Sequence, residues 1–487
     1  MINLRIQRLI EYSAIAALLA TFFGFFSVKI WDIDFWWHLA AGKMILTNGM
    51  IPSQDPFGVY DATSNWGQTI LKSEWLGQVL LYSAYRFAGL EGVIFLRAAV
   101  LTACLGVVYW RCRIAGAKPL FTLTMLVLTG LAILLHTGER PQLFSFLYLS
   151  LVFLLLDMHL KTAQRWPLFF VPLIFLLWAN SHGGVVFGVG VLGLFCTGYL
   201  LENRLETGSF NTSQNRLILA VIALSTTVFL LAPNGITTVI HILLPENILV
   251  RERNSEYATP WAMWRVTAYY WVFLAITLVS LPGFFSRVYL KQAVVVCTVA
   301  AFSLTGYRYI PLFTLLAAPY VAASLSRMFR RVHAPDPIIN MAVLVIALYF
   351  FVYGLKQERI FQHGMLESRY PEAAVNFIKA NHLSGRMFNT MNWGGYLLWN
   401  LSPAVTIFVD GRTLDPGRLV SYTHVLWMTP EGRRFFEQAG FDLVLVPYSN
   451  TFTGENYPII NYLLRSPDWQ PAYQDEAGYL FTRVKTS

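Results

Sequence analysis

The chain has 487 residues, 56% of them hydrophobic and only 13% charged, with a formal net charge of +9. A soluble domain carries about 25% charged residues, so charge this sparse excludes a water-soluble protein of this length and requires a surface that lipid can solvate. The basic excess sits in short clusters between apolar runs (Arg111 with Arg113, Lys161 with Arg165, Arg327 with Arg330 and Arg331), the pattern of loops held on the cytoplasmic side and not of a nucleic-acid surface.

A bilayer core takes roughly 20 apolar residues per helix, fewer where flanking residues snorkel. After a basic start at Arg5 and Arg8, a first span is predicted over 11–30, too long for a cleaved signal peptide. Residues 31–75 read as a long loop and 76–90 as an amphipathic helix in the membrane interface. Further spans are predicted over 92–111, 119–136, 142–160, 167–180, 183–201, 217–233, 269–285, 289–306, 309–326 and 337–355, eleven in all. With the N-terminus in the cytoplasm, the loops 112–118, 161–166, 202–216, 286–288 and 327–336 are inside, and each carries Arg or Lys. The loop 31–91, the turns near 137–141, 181–182 and 306–308, the loop 234–268 and the tail from 356 then lie outside.

From 357 the apolar residues come in short runs between turn signals. Helices are predicted over 371–381, 394–400, 417–426, 430–438 and 456–465, and strands over 386–389, 405–409, 442–446, 471–474 and 479–483. That alternation argues for a small α/β domain. The expected architecture is a polytopic helical membrane domain, 1–356, followed by an extracytoplasmic α/β domain, 357–487. Cys104, Cys112, Cys196 and Cys297 lie in or beside apolar runs without metal-ligand spacing, so no disulfide framework or zinc site is expected.

The residues with chemical capacity gather on the outer side. The first outer loop opens with WDIDFWWHL, residues 31–39, placing Asp32, Asp34 and His38 at the end of the first span. Two carboxylates there are costly unless solvated, paired or used. An aromatic belt with two solvated acids is the plain alternative. Asp55 in IPSQDPFG and Glu74 in KSEWLGQ complete a set able to transfer protons. Arg140 in GERPQLF, His182 in WANSHGG and Arg308 in GYRYIPLF stand at other outer ends. Each arginine alone reads as an interfacial anchor; together with His182 on the face that holds the aspartates, they can grip a phosphate or pyrophosphate. Lys72 is a further candidate. Arg251 and Arg253 lie beside Glu252 and Glu256, and a self-paired loop is the expected reading. In the tail, Asp410 and Arg412 of TIFVDGR follow a strand, where an ion-paired turn is favoured over catalysis. No phosphate-binding loop is present, and Gly394 and Gly395 do not form a dinucleotide fingerprint.

The series WDIDFWWHLAAGK, IPSQDPFG, SEWLGQ, RPQLF, NSHGG, RYIPLF, GGYLLW and VDGR resembles a bacterial branch of the GT-C membrane glycosyltransferases, the superfamily of protein mannosyltransferases and aminoarabinose transferases. The resemblance implies inverting transfer of a sugar from a polyprenyl-phosphate or polyprenyl-pyrophosphate carrier to a glycan, lipid or protein acceptor on the outer face of the bacterial inner membrane. It implies that Asp34, with Asp32 next, acts as base or orients the acceptor, and that Arg140, His182 and Arg308 contact the carrier phosphate. The WWD signature of oligosaccharyltransferases is missing, and the tail is unlike a β-trefoil. The acidic loop could hold a divalent cation, although its spacing defines no ligand set. A lipid-linked glycan flippase would favour ionisable residues in mid-span and paired halves. A non-catalytic membrane assembly protein stays open.

Overall fold

A computed structural model of the chain describes residues 4–52, 57, 71–134, 136–243, 257–284, 287–330, 336–412, 416–449 and 454–484. Asp55, Arg251 and Arg253 lie outside the described residues.

The apolar runs form helices: α1 (Leu4–Phe26), α2 (Phe35–Asn48), α3 (Trp75–Ile114), α4 (Pro119–Leu134), α5 (Gln142–Thr162), α6 (Trp166–Ser181), α7 (Val185–Thr207), α8 (Ser213–Leu230), α9 (Gly235–Leu243), α10 (Ala268–Ser280), α11 (Leu290–Ser303), α12 (Ile310–Met328) and α13 (Asp336–Lys356). Each stretch predicted as a span contains one of these helices, with ends that differ by up to a few residues. Among the described residues, seven helices are long and apolar enough to cross a membrane, and α4, α6, α10 (with the turn that follows it) and α11 are shorter apolar helices. The chain is a multi-pass membrane protein. The α12 segment is the most enclosed and packs against α3, α4, α10 and α11; α13 lies along α1 and keeps most of its surface outside the bundle.

The outer-loop prediction needs one correction. Residues 35–48 are the helix α2, not loop: its first two turns, Phe35 to Gly42, are buried throughout. Gly42 makes this possible, because a Cβ there would fall 2.1 Å from the Gln78 carbonyl oxygen of α3. Residues 76–90 are helical: they form the first part of α3, set off from the following span by a kink where Ala88 (φ −144°) and Gly89 (φ 63°) leave helical geometry. The inner face of this first part is taken up by α2, which draws it onto the protein.

Beyond α13, a five-stranded sheet of order β2-β1-β3-β5-β4 is built from β1 (Gly385–Asn389), β2 (Val405–Ile407), β3 (Leu443–Pro447), β4 (Trp469–Gln474) and β5 (Gly478–Arg483). Strand β1 is parallel to β2 and β3, and β5 is antiparallel to β3 and β4. The helices α14 (Glu372–Ala380), α15 (Met391–Leu401), α16 (Pro416–Leu426), α17 (Pro430–Gln438) and α18 (Pro458–Arg465) cover it. One face, with Met387, Ile407, Leu443 and Leu445, shares a core with Trp36, Trp37 and Leu39 of α2; the other closes on Phe388, Phe408, Phe436 and Phe441. The segment before the sheet is stitched to the end of α1: Ile30 donates to the Gly364 carbonyl (2.9 Å), Leu366 to that of Ile30 (2.8 Å) and Gln362 to that of Ser27 (2.8 Å).

At the opposite end of the bundle the loops predicted inside also meet. Lys118 donates to the Phe329 and Arg330 carbonyls, and Lys291 pairs with Glu202 at 2.8 Å. There Arg111 is buried against Asp157 (2.7 Å), whose other oxygen accepts from the Tyr320 hydroxyl. The Gly42→Ala substitution is expected to cost about 1–3 kcal/mol, since backbone and not a movable side chain blocks the methyl. A melting temperature in detergent within one degree of the wild type would show that α2 and α3 are not held this close.

Candidate active site

The acidic motif begins where α1 ends, and its placement starts with Arg97. This arginine of α3 is fully buried. It donates to the carbonyls of Phe26 (3.0 Å), Val28 and Thr137 (3.2 Å) and pairs with Glu139. Glu139, also fully buried, accepts from the Asp32 amide at 3.2 Å. The end of α1, the loop 137–141 and the start of the motif are thereby tied to one guanidinium.

Asp32, only 2% exposed, is consumed by its surroundings. One oxygen accepts from the Asp34 amide (2.9 Å) and the other from Arg140 Nε (2.6 Å). Its carbonyl accepts from the Tyr370 hydroxyl at 3.0 Å. Gly138 leaves room for this carboxylate, since a Cβ there would lie 2.1 Å from it. Asp34 is more open, with 17% of its side chain exposed, and sits 3.2 Å from Arg140 Nη1. Arg140 therefore bridges both aspartates.

Next to this pair stands an array of titratable groups. His38, on the first turn of α2, lies 3.7 Å from one Glu74 oxygen, and His182 Nε2 lies 3.6 Å from the other. The Gly184 amide donates to His182 Nδ1 (3.0 Å), and Ser145 Oγ lies 2.7 Å from the same nitrogen while accepting from Trp178 Nε1. With Nδ1 accepting, the neutral ring carries its proton on Nε2, facing Glu74. Burial pushes Glu74 up to about 8, Asp34 adds to the rise, and Arg140, Arg308 and the Gly183 amide oppose it. Burial pushes His38 well down, with help from the charges of Arg140, His182 and Arg412. Near neutral pH the cluster thus presents a protonated Glu74 beside a neutral His38.

The structure brings Asp32, Asp34, His38, Glu74, Arg140 and His182 together. Arg308 stands over the Tyr257 ring (4.6 Å), near enough for its charge to act on Glu74. Lys72 is half-buried and makes no ion pair among the described residues. Asp410 and Arg412 form a buried ion pair at 2.6 Å, and Arg412 lies over the rings of Phe57 and Trp37. Sequence reasoning missed Arg97 and Glu139. Both had a signal: Arg97 is an ionisable residue inside a predicted span, which always needs a partner, and Glu139 directly precedes Arg140. Among the described residues, no group of three or more His, Cys, Asp or Glu converges to hold a metal ion. The two aspartates face Arg140 instead, so the described donors do not form a divalent-cation cage.

No family model matches the sequence, and no curated protein matches it significantly. Solved structures do match. The archaeal oligosaccharyltransferase AglB from Archaeoglobus fulgidus, in complex with an inhibitory peptide and a dolichol-phosphate, aligns with a TM-score of 0.61 at 11% identity, over 90% of this chain and 69% of that one. ArnT from Cupriavidus metallidurans, bound to undecaprenyl phosphate, aligns with a TM-score of 0.59 at 11% identity, over 97% of this chain and 98% of that one. The chain has the GT-C fold. The arabinofuranosyltransferase AftD from Mycobacteria has it too, with a TM-score of 0.53 at 14% identity over 99% of this chain and 40% of that one. The Archaeoglobus oligosaccharyltransferase has also been solved in complex with Zn and sulfate.

Two outcomes follow from this geometry. Removing one partner of the buried pair, as Arg97→Met or Glu139→Gln, is expected to destabilise by about 3–5 kcal/mol, and the double variant Arg97→Met/Glu139→Met by less than the sum. Additive losses in chemical unfolding would contradict the pairing. For Glu74, the folded protein keeps a proton that the unfolded chain, at the ordinary value of 4.5, has released. Its stabilising contribution is complete below that value and is lost as pH rises through about 8; His38, shifted down, acts in the opposite sense as pH falls. Thermal unfolding of Glu74→Gln should lose the part of the wild-type decline that lies between pH 4.5 and about 8. An unchanged slope would assign that proton to another group.

Proposed function

We propose that this protein is an inverting membrane glycosyltransferase. It takes a sugar from a polyprenyl-phosphate or polyprenyl-pyrophosphate carrier and passes it to an acceptor hydroxyl on the outer face of a bacterial inner membrane. The observation that carries this reading is the convergence of Asp34, Arg140, Glu74 and His182 at the helix ends where a carrier head group would lie. The GT-C fold supports it, as do the dolichol-phosphate and undecaprenyl phosphate in the structures of AglB and ArnT.

In this mechanism the acceptor oxygen attacks the anomeric carbon as the bond from that carbon to the carrier phosphate oxygen breaks. The acceptor proton passes to Asp34, the less enclosed of the two aspartates and so the one open to substrate. Asp32 holds Arg140 and the Asp34 amide in place. Arg140 and Arg308 offset the negative charge that develops on the departing phosphate, which is where a fixed guanidinium is worth most. Protonated Glu74, flanked by His38 and His182, adds no further negative charge to a site that must receive a phosphate. A divalent cation, where a relative uses one, would supply the same charge stabilisation. Here the described donors do not fit one, and no step depends on it.

The test is transfer from polyprenyl-phosphate-linked sugars in proteoliposomes. Asp34→Asn is expected to lower turnover by about 10²–10⁴-fold, with undecaprenyl phosphate still bound. Wild-type turnover in the variant would remove Asp34 from this role. Movement of the lipid-linked sugar across the bilayer with no bond change would favour a flippase.

A further inference from the structure

The turn after β2 reaches across to the acidic motif. Asn389, at the end of β1, donates to the Val409 carbonyl (2.7 Å) and accepts from the Phe408 amide (2.9 Å), which fixes the chain leaving β2. Asp410 then takes Arg412 in a buried pair, accepting from its backbone amide (2.8 Å) as well as its guanidinium. Between them is Gly411, where a Cβ would stand 1.8 Å from Asp34 Oδ1 and 3.2 Å from Trp37 Nε1. The helix α15 is thinned on both sides to allow this approach. A Cβ at Gly394 would meet the Val409 carbonyl oxygen at 2.2 Å, and one at Gly395 the Ile33 carbonyl oxygen at 3.0 Å.

We propose that the Asp410–Gly411–Arg412 turn is a positioning element of the active site: the sheet unit seats the Asp34 carboxylate through Gly411 and the Trp37 ring through Arg412. This rests on Asp34 being the reactive carboxylate of the transfer reaction. The turn touches no reacting atom. It works by closing the side of Asp34 that Arg140 leaves open, so the carboxylate stays toward Arg140 and the acceptor. Asp410 holds Arg412 beside the rings of Trp37 and Phe57, and so the arginine is spent on position and not on substrate phosphate.

The obstacle at Gly411 is the movable end of a side chain, whereas at Gly394 it is backbone. Gly411→Ala should therefore fold normally and displace the Asp34 carboxylate. Expected in the transfer assay is a fall in kcat of about 10-fold or more, with donor KM within about 2-fold, as a misplaced catalytic group behaves. Unchanged kcat would overturn the proposal, and so would a loss of kcat that merely tracks a loss of thermal stability. A second measurement needs no turnover: the titration midpoint of His38, followed by NMR on histidine-labelled protein in nanodiscs. Arg412→Gln should move it upward, since the Arg412 charge presses it down, and Arg412→Lys should restore it. A midpoint the same in all three proteins would sink the placement of the turn. If the wild type transfers no sugar from polyprenyl-linked donors while the His38 midpoint still responds, the transferase reading fails and the contact of turn and motif stands.

Discussion

A buried ion pair fixes where the candidate site of this protein is assembled. Arg97 and Glu139 sit fully enclosed in the low-dielectric end of the bundle, where neither charge would survive alone. Together they are satisfied. The guanidinium gathers three carbonyls from the end of α1 and the loop 137–141, and the carboxylate accepts the Asp32 amide. A helix terminus, a helix interior and a loop are thereby joined. The next residue after Glu139 is Arg140, which is why its guanidinium arrives beside Asp32 and Asp34 in register.

The rest of the site divides its two aspartates by environment. Asp32 is surrounded by donors and serves as a fixture, and Asp34 keeps a partly open face. Glu74 is enclosed with two histidines and retains its proton near neutral pH, so three neighbouring carboxyl groups do not amount to three negative charges. This separation of roles follows from burial and hydrogen bonding, not from residue type. The sheet unit takes part as well. Tyr370 holds the Asp32 carbonyl and Gly411 lies against Asp34, so residues more than three hundred positions apart share one centre.

Much of this was legible in the sequence, for identifiable reasons. The apolar runs that became α1, α5 and α12 are long and nearly free of charge, and lipid leaves such segments little choice but helix. In the tail, Gly and Pro punctuation marked elements such as α17 and β3 almost to the residue. The helix α2 was not legible, because WWHLAAGKM reads as an aromatic loop until Gly42 is seen to admit α3 at backbone contact. Of the candidate site residues, those standing at span ends could be grouped by counting spans. Arg97 inside a span signalled only that it needs a partner; which partner is a long-range fact that no local pattern encodes. The Asp410–Arg412 ion pair was foreseen, but its approach to Asp34 depends on how the sheet docks on α2, and no local pattern encodes that.

The proposed transferase needs these groups to face a single lipid-phosphate site on one side of the membrane. A cryo-electron microscopy structure of the full chain in nanodiscs with undecaprenyl phosphate tests it most directly. The phosphate is expected within hydrogen-bonding reach of Arg140 or Arg308, with Asp34 opening onto the same cavity. A phosphate held at the far end of the bundle, near Lys118 and Arg330, or one reaching neither arginine, would contradict it.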